Sequence, residues 1–127
     1  MGDDEQIEFF ESCCAQSAGT MIGEGAFAPG PALWVGRREI AHFDDDRTID
    51  VRLTKQVTRS RRSELRDDGR VSLRPGGSDW LEVTIGSPDD TDWARSIVLD
   101  AIEANRGTAP EGTPPTSPEL DRRRRFH

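Results

Sequence analysis

The sequence predicts an α+β domain: an antiparallel sheet of about five strands, with N- and C-terminal helices packed on one face, followed by a disordered C-terminal tail. Three observations point there. Leu33 to Leu53 holds three apolar runs separated by turn chemistry, Trp80 to Ile85 alternates as a half-buried strand does, and two long segments near the ends carry apolar residues at helical spacing. The expected organisation is one domain over residues 1–106 and a tail over 107–127.

The first helix is expected over Asp3 to Ala18. Ile7, Phe10, Cys14 and Ser17 or Ala18 recur at three-to-four spacing, Phe9 and Cys13 widen the face, and Asp3, Asp4 and Glu5 suit the positive end of the helix dipole. Cys13 and Cys14 are adjacent and close no loop. Without clustered histidines they make no metal site, and buried thiols are a plainer reading than a vicinal redox pair. The following stretch to Pro31 is too rich in Gly and Pro for a helix, although Thr20-Met21-Ile22 fits a short strand. It lacks the spacing of a phosphate-cradling glycine loop and reads as a connector.

A meander comes next. Gly36-Arg37 is a two-residue hairpin turn in which Gly supplies the positive φ, and Asp44-Asp45-Asp46 turns the chain into Thr48 to Leu53. Thr54 is placed to cap a helix through about Asp67, ended by Asp68-Gly69. Val57 and Leu65 are its only large apolar residues, which assigns it to the rim. Arg70 to Leu73 is a further strand and Pro75-Gly76-Gly77 a turn before the Trp80 strand. Ser87 as N-cap, Pro88 at the first position and Asp89-Asp90 in the first turn start the last helix, expected over Asp89 to Arg106. Trp93, Ile97, Val98, Ala101 and Ile102 form its apolar face, and Gly107 stops it. Beyond Gly107 the composition turns to Thr, Pro, Gly and acids and ends in four Arg, too poor in apolar residues to offset the entropy of ordering.

Across the hairpin, Val35 sits opposite Arg38, Trp34 opposite Glu39 and Leu33 opposite Ile40. Strict alternation then places Leu33, Val35, Ile40 and His42 toward the core. The second face presents Trp34, Glu39, Phe43, Asp50, Arg52, Trp80 and Glu82, an aromatic surface with charges of both signs. Aromatic residues combined with Arg are typical interface anchors, so the candidate binding residues are Trp34, Arg37, Glu39, Asp50, Arg52 and Trp80. The alternative use of this face is a second minor core beneath the basic helix or the Gly-rich segment. His42, assigned to the core side, reads as a satisfied buried histidine with no nucleophile near it in sequence.

The charge balance is 24 acidic to 17 basic residues, a net −7, and Lys55 is the only lysine. This fits either a salt-rich cytoplasm, in which a negative surface is screened, or a GC-rich genome that favours Arg. The opening Met-Gly-Asp-Asp-Glu lacks the basic and apolar parts of a signal peptide, and there is no apolar run of membrane-spanning length. A halophilic or at least acidic, cytoplasmic protein without membrane contact is the expectation. Arg52 to Arg74 holds eight basic and three acidic residues, a candidate anion or nucleic-acid footprint. With no aromatic interleaving and no nucleic-acid module, a solvated helix is the plainer reading, and nucleic acid is not the expected partner.

Gly36-Arg37-Arg38-Glu39-Ile40-Ala41-His42, then Asp50 in the next strand and Trp80 opening another, resembles the family of small domains called luciferase-like, over about Leu33 to Ala104. In plan the chain is more distantly similar to the small YjbR/MmcQ-type proteins, whose α/β fold is sometimes associated with DNA. In the luciferase-like relatives a His commonly precedes the Trp-led strand; here Val71-Ser72-Leu73-Arg74-Pro75 has none, so the resemblance implies no shared His-dependent activity. Nor does it imply light emission, because no flavin loop, nucleotide-binding glycine motif or barrel-sized chain is present. It does implicate Glu39, Asp50 and Trp80, which alternation alone puts on one face.

Three function classes follow, in this order. The first is a binding or interaction module for a protein or small-molecule partner, acting through the aromatic face. The second is an enzyme using Glu39, Asp50 and His42, and the third a weak nucleic-acid or anion binder using Arg52 to Arg74. No cofactor, metal-ligand set or catalytic motif is expected from the spacing.

Overall fold

The computed structural model describes residues 1–125. Six strands form one antiparallel sheet: Thr20–Glu24 (β1), Pro31–Val35 (β2), Arg38–Phe43 (β3), Thr48–Arg52 (β4), Val71–Leu73 (β5) and Trp80–Thr84 (β6), in the spatial order β1-β2-β3-β4-β6-β5. The short Thr20 segment is the strand beyond the five expected, and it pairs with β2 from Thr20↔Val35 to Glu24↔Pro31. The helices are Asp3–Gln16 (α1), Lys55–Ser60 (α2), Arg62–Arg66 (α3), Thr91–Asn105 (α4) and Ser117–Arg125 (α5). Among the described residues, no helix is long and apolar enough to cross a membrane.

The two long helices, α1 and α4, pack together on one face of the sheet, as the two apolar stripes require. Phe9 and Phe10 from α1 meet Phe43 of β3 with ring centroids 5.8 and 5.4 Å apart. Ile97, Val98, Ala101 and Ile102 from α4 complete the core over Ile49, Val51, Leu81 and Val83. Each large side chain removed from water here contributes about 1.5–3 kcal/mol, the main source of stability in a domain this size. Asp90 receives the N–H groups of Gly86 and Ser87 at 3.0 and 3.2 Å and so fixes the entry to α4. Asn105, fully buried, donates to the Arg52 carbonyl at 2.9 Å and ties the far end of α4 to β4. Cys13 lies in the core, where burial pushes its thiol up to about 12, so it is an inert packing residue.

Three expectations need correction. The single helix anticipated over Thr54 to Asp67 is two short ones, because Arg61 leaves helical geometry (φ −113°, ψ 18°) and spends its guanidinium on Glu64 and Asp100. The second correction concerns β3. Leu33 pairs with Ala41 and Trp34 with Glu39, so Ile40 is an extra residue between them, a β-bulge. Both Ile40 and Ala41 then face the core, and every later residue of the strand is inverted relative to strict alternation. Phe43 goes into the core and His42 emerges on the second face beside Asp50.

The third is the tail. Where composition predicts disorder from Gly107, the chain through Arg122 is packed back across the second face at the β1–β2 end. Arg37 N–H donates to the Pro110 carbonyl at 2.9 Å, and its guanidinium meets Glu119 at 2.7 Å. Gly36 (φ +55°) takes the turn position that needs positive φ, and a Cβ there would collide with the Pro110 carbonyl. Leu120 is 1% exposed, and Pro114 comes against the Gly23 and Trp34 neighbourhood. A segment with few apolar residues is held here by its contacts with Arg37 and by the burial of Leu120. The expected disorder of Phe126 and His127 lies outside the described residues. Leu120→Ala should lower unfolding free energy by about 2 kcal/mol, read from denaturant curves; an unchanged midpoint would contradict the packed tail.

Candidate functional site

The bulge at Ile40 puts Glu39 and His42 on the same side of β3, three residues apart, and the register of β3 with β4 sets His42 directly opposite Asp50. His42 Nε2 lies 3.0 Å from Asp50 Oδ2, and Nδ1 lies 3.2 Å from Glu39 Oε2. The three side chains are 7%, 6% and 1% exposed, so this is a buried imidazole held between two carboxylates. The Glu39 contact is within ion-pair distance but off the hydrogen-bond axis, which leaves Nδ1 and Oε2 without an aligned partner. Glu39 Oε1 receives the Ala26 N–H at 2.8 Å, and this bond anchors the Gly25 to Gly30 loop over the cluster.

Two cations and two aromatic rings surround it. Arg74, beyond the end of β5, reaches Asp50 Oδ1 at 3.0 Å. Arg52 donates through Nε to the Glu39 carbonyl at 3.1 Å and lies 4.8 Å over the Trp80 ring, a cation–π contact. The Trp80 ring is 5.3 Å from His42, and Phe27 stacks on His42 at 6.2 Å while meeting Trp80 edge-on at 5.5 Å. Phe27 itself remains 64% exposed. The cluster therefore has a charged floor and an aromatic roof that is open to solvent.

Burial alone would drive His42 toward the neutral form. The Asp50 hydrogen bond and the Glu39 carboxylate outweigh it and raise the pKa from 6.5 to about 9. For Asp50 burial again opposes the charged form, and His42 and Arg74 more than reverse it, holding the carboxyl below its ordinary value. At neutral pH His42 is thus an imidazolium whose two N–H groups face carboxylates: a hydrogen-bond donor and fixed charge, with no lone pair for abstracting a proton.

His42, Asp44 and Asp50 bring one possible ligand atom each within 4.8 Å of one another, with Asp44 exposed. A cation there would have to displace the imidazolium proton and compete with Arg74 for Asp50, so the donor set is already committed.

The family model described as Luciferase domain matches residues 37–101, just over half of the chain. The chain belongs to the luciferase domain family. Within this luciferase domain the matched stretch runs from the turn before β3 into α4, and it contains Glu39, His42, Asp50, Arg52, Arg74 and Trp80. Trp34 and Phe27 lie outside it. No curated protein and no solved structure matches the chain.

Of the six residues chosen from sequence, the structure brings Glu39, Asp50, Arg52 and Trp80 together. Trp34 is 2% exposed beneath the returning tail, and Arg37 is the anchor of that tail, away from the cluster. Sequence reasoning missed Phe27 and the role of Arg74. Phe27 stands in an aperiodic Gly- and Pro-rich loop, and Arg74 was one of eight cations in a run; neither position has a pattern that points at the cluster.

The raised pKa has a stability consequence. His42's favourable contribution is fully present below its unfolded value of 6.5 and is lost as pH rises through about 9. Over that interval the melting temperature of the wild type should fall relative to His42→Gln, and parallel curves for the two proteins would contradict the clamp.

Proposed function

We propose that this luciferase domain is a small-molecule binding module whose site is the surface around Trp80, with Phe27 and Trp80 as aromatic walls and the His42–Asp50–Arg74 chain as a polar floor. The observation that carries the reading is the buried Glu39–His42–Asp50 set, brought to charge balance by Arg74, directly beneath two rings that solvent reaches. A buried ionic cluster is a poor stabiliser compared with apolar packing of the same volume, so stability alone does not account for it. Perturbed titratable groups grouped under an accessible aromatic surface are characteristic of ligand sites.

The burial of Trp34 narrows the candidate platform to the Trp80 end. Proton abstraction by His42 is the weaker reading of the same residues, because a doubly countered imidazolium is a poor base at neutral pH. A thermal-shift screen of nucleotides, flavins and small metabolites on wild type and Trp80→Ala tests the proposal. A ligand that raises the wild-type melting point by several degrees should lose that effect in the variant. Stabilisation that survives Trp80→Ala, or a screen in which no small molecule shifts the wild type, would count against it.

A further inference from the structure

We propose that the basic recess bounded by α2, α3, the turn after β5 and Trp80 binds the phosphate group of a small phosphorylated molecule whose planar part lies on Trp80. The inference rests on the reading of Trp80 as a ligand wall and names the chemistry that wall serves. The recess has a volume of about 140 Å³. Four of its lining side chains are cations, Lys55, Arg59, Arg62 and Arg74, and no Asp or Glu lines it, in a chain whose net charge is −7.

Several arginines elsewhere are matched by carboxylates of the same chain: Arg61 by Glu64 and Asp100, Arg70 by Asp68 and Asp90, Arg95 by Asp92, Arg106 by Glu103. Lys55, Arg59 and Arg62 make no ion pair among the described residues. Three uncompensated cations converging with Arg74 on one concavity repel one another, and an external anion removes that repulsion. A second observation points the same way. Thr58 belongs to the same lining, and its Oγ1 is buried with no hydrogen-bond partner among the described residues. A rotation about χ1 that turned the hydroxyl toward the recess would let it donate to a phosphate oxygen.

Size limits the ligand. The recess is well below the roughly 300 Å³ at which pockets for drug-sized molecules begin, which suits one tetrahedral head group with a ring at the mouth. Its position explains Arg74, which lines the recess and also grips Asp50. The phosphate site and the His42 cluster thus share one guanidinium.

Titration calorimetry on the full chain at low ionic strength, with phenyl phosphate, inorganic phosphate and neutral benzyl alcohol as probes, tests this. The comparison protein is Arg59→Gln/Arg62→Gln, two exposed positions whose side chains hold no internal partner, with its melting curve as the fold control. Phenyl phosphate should bind the wild type more tightly than inorganic phosphate. The double variant should weaken it at least about tenfold, the scale of a charge-assisted hydrogen bond, and Lys55→Gln should weaken it as well. Failure of both phosphate probes at millimolar concentration, or undiminished binding to the double variant, would overturn the proposal. So would a short single-stranded RNA bound far more tightly than phenyl phosphate with a steep salt dependence, which would assign the patch to nucleic acid. If benzyl alcohol binds as well as phenyl phosphate, the aromatic wall stands and the phosphate site falls. If phenyl phosphate binds through Arg59 and Arg62 no more tightly than inorganic phosphate and is indifferent to Trp80→Ala, the anion site stands and the wall falls.

Discussion

An imidazole buried between two carboxylates survives on a sheet face only if its charges are matched, because an unpaired buried ion costs several kcal/mol. The Glu39–His42–Asp50 clamp meets that condition through three separate features of the backbone. The bulge at Ile40 turns Glu39 and His42 to one side, the β3–β4 register sets Asp50 across from His42, and the chain beyond β5 delivers Arg74 to the outer oxygen of Asp50. The Gly25 to Gly30 loop depends on it in turn, since the Ala26 N–H is held by Glu39 and Phe27 rests on His42. Loss of the bulge would return His42 to the hydrophobic side and send Phe43 out of its contacts with Phe9 and Phe10.

Much of this was legible beforehand, and the parts that were not share a cause. Periodicity located both long helices, the hairpin, the Trp80 strand, and the face that carries Glu39, Asp50, Arg52 and Trp80. It could not locate the bulge, because Ile40-Ala41 reads the same whether the strand is regular or has one residue too many. One unseen residue therefore exchanged His42 and Phe43. Tertiary contacts decided the remainder. The tail is held by Arg37, about eighty positions earlier in the chain, and the helix after Thr54 breaks where Arg61 finds Asp100 on α4. Neither partner lies within a local window.

The two recognition surfaces inferred for this luciferase domain meet at Trp80 and Arg74. The first has a protonated, charge-balanced floor under aromatic rings; the second has excess positive charge and an unsatisfied hydroxyl. A molecule with a planar part and a phosphate would use both, and the shared guanidinium makes occupancy of the recess felt at Asp50 and through it at His42. The packed tail covers Trp34, which confines recognition to this end of the sheet.

His42 is held as an imidazolium by the carboxylates on either side. Its ring-nitrogen NMR titration tests this most directly, and with His127 as the only other histidine the assignment is simple. Both His42 nitrogens should stay protonated through neutral pH, with a midpoint of about 9. A midpoint at or below 6.5, the ordinary value for histidine, would contradict it.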